Sequence, residues 1–211
     1  MIINAACAMT DWETTAVAPG RLANICNAKG ARYVHISSDA VFGHGTEDYD
    51  ETRTPLPTTV YGAAKAAAEV GVFAAMADAV VVRTSWILGD GASWFEGFVH
   101  DLAVGKISGL LFNDDLRRPV HVADLAAAVL ELAAMPVYES FRGVLHVAGS
   151  DTMSRYGLGQ LIAERDGLDP ETLPQGSKAS ISQNGARVLL DSSRAGDLLS
   201  VKLRGAKSFM A

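Results

Sequence analysis

The chain has 211 residues, of which 18 are Lys or Arg and 24 are Asp or Glu, and a formal net charge of -6 at pH 7. Apolar residues make up 49% and charged residues 20%, the balance of a packed globular fold and not of a disordered chain. The acidic balance and the lack of a basic cluster argue against a nucleic-acid partner, and the longest apolar runs, such as residues 79–82, are far too short to cross a bilayer.

The opening Met-Ile-Ile-Asn-Ala-Ala has neither a basic n-region nor a long apolar core, so no signal peptide is expected. Cys7 and Cys26 then read as free thiols in a reducing, cytoplasmic compartment, and with no His or further Cys beside them no metal site is expected. Residues 2–6 read as a short buried strand. Residues 16–28 have helical spacing, with Leu22, Ile25 and Cys26 on one face and Gly30 as the stop. Residues 32–37 form a second strand, followed by a loop with Gly43, Gly45, Pro55 and Pro57. Thr58 or Thr59 caps an Ala-rich helix running to about residue 77. Residues 79–83 are a third strand, apolar almost throughout, as suits a parallel sheet covered on both faces. Helices are expected over 94–104 and 121–135, a fourth strand over 143–147, and a Ser154-capped helix to residue 165. Beyond Asp166 the pattern weakens into a less regular lobe. Strands alternating with helices give an α/β fold with a parallel sheet.

Tyr61 and Lys65 form Tyr-x-x-x-Lys at a helix start. Residues four apart share a helical face, so the ammonium is expected to lower the phenol pKa and make Tyr61 a general acid/base. Ser38 stands just past a strand end, where α/β folds place ligands, and its hydroxyl suits the oxygen of a carbonyl or alcohol. Hydride would have to come from a nicotinamide, since these side chains cannot supply one. By itself the Tyr-Lys spacing fits an exposed turn with a solvated lysine better. The context raises its weight: a strand, Ser-Ser-Asp, a Pro-rich loop, Tyr-Gly-x-x-Lys, then a strand ending in Arg-Thr-Ser-Trp.

The run His35-Ile36-Ser37-Ser38-Asp39-Ala40-Val41-Phe42-Gly43, with Tyr61-Gly62-Ala63-Ala64-Lys65, Arg83-Thr84-Ser85-Trp86 and Leu190-Asp191-Ser192-Ser193, resembles the extended short-chain dehydrogenases/reductases. Among these it is similar to the dTDP-4-dehydrorhamnose reductases, from Ile2 to about Ser200. The resemblance implies a Rossmann-like parallel sheet with helices on both faces, N-terminally incomplete, plus a small C-terminal substrate lobe. Residues 1–150 would be mostly the partial dinucleotide-binding domain, with 91–118 contributing to the substrate side, and 151–211 the substrate-binding lobe. It implies Ser38, Tyr61 and Lys65 as catalytic residues. Asn4, Ala5, Ala6, Tyr61, Lys65, Thr84 and Ser85 would line NADP or NAD. Ser38, Trp86 and Arg117 would face a 4-keto sugar nucleotide, with Trp86 equally readable as core and Arg117 as a surface residue. Arg117-Arg118-Pro119-Val120-His121-Val122-Ala123-Asp124 departs from the reductases. It looks more like the segment of sugar-nucleotide epimerases and dehydratases whose Arg holds the pyrophosphate, and a guanidinium fork suits phosphate. His121 reads as a packed residue before a helix.

No Gly-x-Gly-x-x-Gly or Gly-x-x-Gly-x-x-Gly follows an opening strand, whereas the family begins with such a loop, whose glycines admit the pyrophosphate. The first strand here corresponds to the family's fourth and is expected at a sheet edge, where an unpaired apolar strand favours self-association. Ala18 stands where relatives carry a supporting Asn. Three readings fit: a fragment, a misassigned start, or a short relative without reductase activity. The motifs assign oxidoreductase chemistry, while the main grip on the cofactor is lacking. A non-catalytic binding or regulatory protein is the alternative, and epimerase or dehydratase chemistry a third.

Overall fold

A computed structural model describes residues 1–135, 141–182 and 186–211, leaving out the side chain of Ser182. Four parallel strands form the central sheet in the order β1 (Ile2–Asn4), β2 (Tyr33–Ser38), β3 (Val80–Thr84) and β4 (Gly143–Val147). Ser38 pairs with Thr84 and Thr84 with Val147. Three strands therefore stop level, and the residues that follow them are presented along one rim. β1 is an edge strand, as expected, with Ile2 exposed.

Helices α1 (Ala18–Ala28) and α2 (Val60–Ala75) cover one face of the sheet, where Ala23, Cys26, Val72 and Met76 pack on Tyr33 and Val81. A five-residue π-helical turn, Glu13–Val17, leads into α1. The expected helical face of α1 is corrected: Cys26 is buried, but Leu22 and Ile25 are exposed. The buried positions are Pro19, Ala23 and Cys26, because α1 crosses α2 at glycines. A Cβ on Gly20 would meet the Gly71 backbone at 3.2 Å, so small residues set the contact and bulky ones turn outward.

Helices α3 (Trp94–Ala103) and α4 (Val122–Ala134) follow β3. α4 packs Leu125, Ala128, Val129 and Leu132 on Val34, Val80 and Val82, covering the second face. α3 joins α5 (Arg155–Arg165) in a separate apolar cluster with Leu111, Leu173 and Met210. The chain beyond Asp166 serves both layers, since Ala195 and Leu199 pack on the sheet core while Ala206 and Met210 join the second cluster. Two- and three-residue strands tie the layers together: Ile87–Leu88 with Val120–His121, Leu111–Phe112 with Gln175–Gly176, and Asp115–Arg117 between Ala186–Arg187 and Met153–Ser154. Among the described residues no helix is long and apolar enough to cross a membrane.

Two buried carboxylates brace this frame. Glu69 of α2 takes Arg83 of β3 at 2.7 Å and the Ser37 hydroxyl at 2.6 Å. Arg83 in turn lies 5.0 Å from the Phe42 ring centroid and 3.5 Å from His146 Nε2. Glu96 of α3 receives the backbone N–H groups of Gly91 and Ser93 and the Arg165 guanidinium, and so fixes a turn in which Asp90 has a φ of 54°. Burial pushes the Glu96 carboxyl up, but its bonds to Ser93, Arg165 and Gly91 outweigh this and bring it to about 2.

Removing one partner of a buried pair leaves an uncompensated charge. Glu69→Gln is expected to lower unfolding free energy by roughly 3–5 kcal/mol in denaturant titrations, and the double variant Glu69→Leu/Arg83→Met to recover most of that loss. The depressed Glu96 pKa stabilises the fold above pH 4.5, the ordinary carboxyl value, and that stabilisation is lost as pH falls to about 2. At neutral pH it amounts to about 3 kcal/mol. The stability gap between the native chain and Glu96→Gln is therefore expected to narrow steadily across that window.

Candidate active site

Ser38 ends β2, and the chain turns at once into the short helix Asp39–Val41. The Ser38 hydroxyl accepts Ala40 N–H at 3.1 Å and donates to Asp39 Oδ1 at 3.3 Å. Tyr61 is the second residue of α2, whose N-terminus is capped by the Thr59 hydroxyl accepting Gly62 N–H. Gly62 is required here, since a Cβ would stand 2.0 Å from Ala40 O. That contact sets the first turn of α2 against the turn after β2 and brings the Tyr61 phenol beside Ser38. Lys65, one helical turn on, is buried and donates to Ile36 O at 2.9 Å.

The expected electrostatics of the Tyr-Lys pair are corrected. Burial pushes the Tyr61 phenol up, and Cys7, whose Sγ lies 3.9 Å from Tyr61 Oη, pushes the same way. Burial pushes Lys65 down, against the pull of Cys7 and Glu69. Burial is the largest influence on the phenol, and the Lys65 ammonium directs a proton at a backbone carbonyl. Tyr61 is therefore a protonated phenol, a donor and not a base.

Asn4 ends β1 and is buried. Its Oδ1 accepts Ala6 N–H at 3.1 Å, and its Nδ2 donates to Tyr33 Oη at 3.0 Å and faces His35 Nδ1 at 3.3 Å. These bonds hold the exposed Ala5 and Ala6 as a turn leading to Cys7. At the end of β3, Thr84 is buried and its Oγ1 has no hydrogen-bond partner among the described residues. Ser85 donates to Asp39 Oδ2 at 2.8 Å. His35 is buried beneath the same rim, and burial, reinforced by Lys65, lowers its pKa to about 3.

Trp86 stacks on Phe95, with Arg155 at 4.5 Å and Arg117 at 5.6 Å from its ring centroid. Buried Asp115 holds Arg117 Nη1 at 2.8 Å and Arg155 Nε at 2.7 Å, and lies 3.8 Å from Lys178 Nζ. Arg117 Nε lies 3.3 Å from Asp39 Oδ2. Arg117 is thus a clamp within the protein and also lines a cavity of about 290 Å3 with Phe42, Gly43, His44, Thr58 and Lys178. Arg117, Arg155 and Lys178 meet the carboxylates Asp39 and Asp115 at this wall. A shallower groove of about 740 Å3, lined by Asp48, Arg118, Ser150, Ser192 and Lys202, includes none of Ser38, Tyr61 and Lys65.

The fold therefore gathers Ser38, Tyr61, Lys65, Ser85, Trp86 and Arg117 along one rim, with Asn4 to Ala6 at its edge. Sequence reasoning missed Asp39, Cys7, Asp115, Arg155 and Lys178. Asp39 was visible within Ser-Ser-Asp, but its partners are remote. Lys178 sits in a stretch rich in Gly, Pro, Ser and Gln that carries no periodic signal.

Residues 8–193 match the model of the RmlD substrate binding domain. The dTDP-4-dehydrorhamnose reductase of Mycobacterium tuberculosis (strain ATCC 25618 / H37Rv) is 35% identical over 183 residues, covering 83% of this chain and 59% of that protein. Methionine adenosyltransferase 2 subunit beta of Xenopus laevis is 29% identical over 153 residues, 70% of this chain and 46% of that one. The chain thus spans less than two thirds of these relatives' length. Among solved structures, the dTDP-4-dehydrorhamnose reductase of Bacillus anthracis in complex with NADP superposes with a TM-score of 0.84 at 23% identity, over 99% of this chain and 77% of that one. The sheet and its flanking helices share that Rossmann-like fold. The chain belongs to the RmlD substrate-binding-domain family.

Proposed function

We propose that this chain carries the proton-donor and substrate side of a reductase that converts a 4-keto sugar nucleotide to the alcohol with NADPH or NADH. The observation that carries the reading is Tyr61, kept protonated beside Ser38 at the level ends of β2 and β3. The 35% identity to a protein named dTDP-4-dehydrorhamnose reductase supports the substrate class.

The residues present fit the nicotinamide half of such a cofactor. The unpartnered Thr84 hydroxyl is buried at a parallel strand end, the place where α/β sheets receive ligands. Asn4, Ala5, Ala6 and Ser85 border the same rim, and the remaining N–H donors of Lys65 suit a ribose hydroxyl. When bound, the nicotinamide supplies hydride to the sugar carbonyl carbon. Tyr61 transfers its proton to the carbonyl oxygen as the charge develops, with Ser38 beside it and the Ser38 hydrogen held by Asp39. Lys65 steadies the phenolate left behind. Arg117 and Lys178 give the cavity a positive wall for the substrate's phosphates, and Trp86 offers its ring to the sugar. Residues 1–211 contain no glycine-rich strand-to-helix turn, so none of the groups named here holds the pyrophosphate. The setting that fits this chemistry is the cytoplasm, without nucleic acid or membrane.

A second reading, a non-catalytic binding or regulatory subunit, is favoured by the relative named as a subunit of methionine adenosyltransferase. Joined to a glycine-rich strand–loop–helix segment, the chain is expected to oxidise NADPH or NADH with a dTDP-4-keto-6-deoxy sugar. Tyr61→Phe is expected to slow turnover by roughly 10²–10⁴-fold. Equal turnover in the two proteins rules out the proposed proton donor. Cofactor binding seen by calorimetry without any turnover selects the second reading.

A further inference from the structure

Asp39 has no part in the Ser-Tyr-Lys scheme, yet the fold buries it in the middle of the site, 6% exposed. Burying a carboxylate is costly unless hydrogen bonds and charges compensate it. Here the compensation comes from three separate elements. Ser38, at the end of β2, donates to Oδ1, while Ser85, just past β3, donates to Oδ2. Arg117, in the short strand Asp115–Arg117, faces Oδ2 through Nε. One carboxylate thus touches the hydroxyl beside Tyr61, the serine beside the nicotinamide place and the arginine of the substrate cavity.

A serine hydroxyl has one hydrogen and two lone pairs. Ala40 N–H takes one lone pair of Ser38, and the hydrogen points at Asp39. Ser38 also bonds the neighbouring phenol, and that bond taken alone pulls the Tyr61 pKa down against burial and Cys7. We infer that Asp39 is the positioning residue of this site: it sets the direction of the Ser38 hydroxyl, anchors Arg117 at the cavity wall, and places a negative charge beside Tyr61. The groups facing Asp39 are Arg117 and Asp115 from the neighbouring strand and Tyr61 from α2. Burial pushes the Asp39 carboxyl up, Arg117, Ser85 and Ser38 pull it down, and Asp115 pushes it up again. In its ionised form it opposes ionisation of Tyr61, so the phenol keeps its proton until an acceptor oxygen takes it.

The use made of Asp39 rests on the reductase reading, but its test needs neither cofactor nor substrate. Tyr61 itself does not ionise in acid, so its ring resonance in an NMR titration of the 211-residue chain reports the charge beside it. The Tyr61 signal is the one missing from Tyr61→Phe. A step in that signal is expected at a pH above the ordinary aspartate value and absent in Asp39→Asn, which keeps hydrogen-bonding groups for Ser38 and Ser85 but loses the charge. In Arg117→Gln the step is expected at higher pH, because the carboxylate has lost its cation. This second variant decides the matter if Asp39→Asn does not fold. A Tyr61 signal without such a step, or a step unmoved by Arg117→Gln, overturns the inference. These shifts in a protein that fails the reduction assay leave the positioning role standing and remove the reductase reading alone.

Discussion

A Cβ at position 62 would stand 2.0 Å from the Ala40 carbonyl oxygen, so only glycine lets the first turn of α2 lie against the turn that follows β2. The site depends on that approach. It fixes how far Tyr61 stands from Ser38, and through the pitch of one helical turn it fixes where Lys65 meets the backbone of β2. The Tyr-Gly-x-x-Lys pattern is thus two constraints in one motif. Tyr and Lys are the residues proposed to carry the chemistry, while Gly lets a helix start where a side chain would hold it away.

The next turn of α2 secures this placement from below. Glu69 sits four residues past Lys65 and binds Arg83 and Ser37 inside the sheet. Arg83 passes the support on to the loop walling the cavity, through Phe42 and through His146. His146 lies within 3.1 Å of Tyr49 O through Nδ1 and gives its backbone N–H to Glu51. Burial and the neighbouring Arg83 lower its pKa to about 4, so near neutral pH the ring is uncharged and its Nε2 can face the guanidinium. Phe42 stacks on Tyr49 with ring centroids 4.2 Å apart. Residues 42–51 are thereby fastened to the same buried pair that braces α2, so the cavity wall and Tyr61 share one foundation.

What the sequence made legible follows from the range of the interactions involved. Ser38, Tyr61 and Lys65 were readable because a strand end and a helix start are local features with their own signals, Ser-Ser-Asp and a Thr cap. The four strands of the central sheet and the five long helices were readable from apolar runs and periodicity. The short strands that tie the two layers together were not, since they carry neither an apolar run nor enough residues to establish a period. The inward face of α1 was not legible either. Periodicity groups Leu22 with Ile25 but does not say which way they point, and the Gly20–Gly71 crossing decides it. Asp39 escaped for a related reason. Its partners Ser85 and Arg117 lie 46 and 78 residues away, and only the sheet register and the short strand Asp115–Arg117 bring them together.

The protonation balance of the unliganded site has a direction. Burial disfavours charge on Tyr61 and on Lys65 alike, so both are pushed toward their neutral forms. For Tyr61 the neutral form is the acid. A site poised to donate a proton needs the phenol protonated before reaction and the phenolate tolerated afterwards, which asks the surroundings to change sign between the two moments. Under the proposed reductase reading Lys65 would meet the second requirement, because an ammonium with one donor on Ile36 O has two left. Asp39 meets the first. The Asp39 charge opposes ionisation of Tyr61, and the glycine that follows Tyr61 fixes its approach to the turn that carries Asp39.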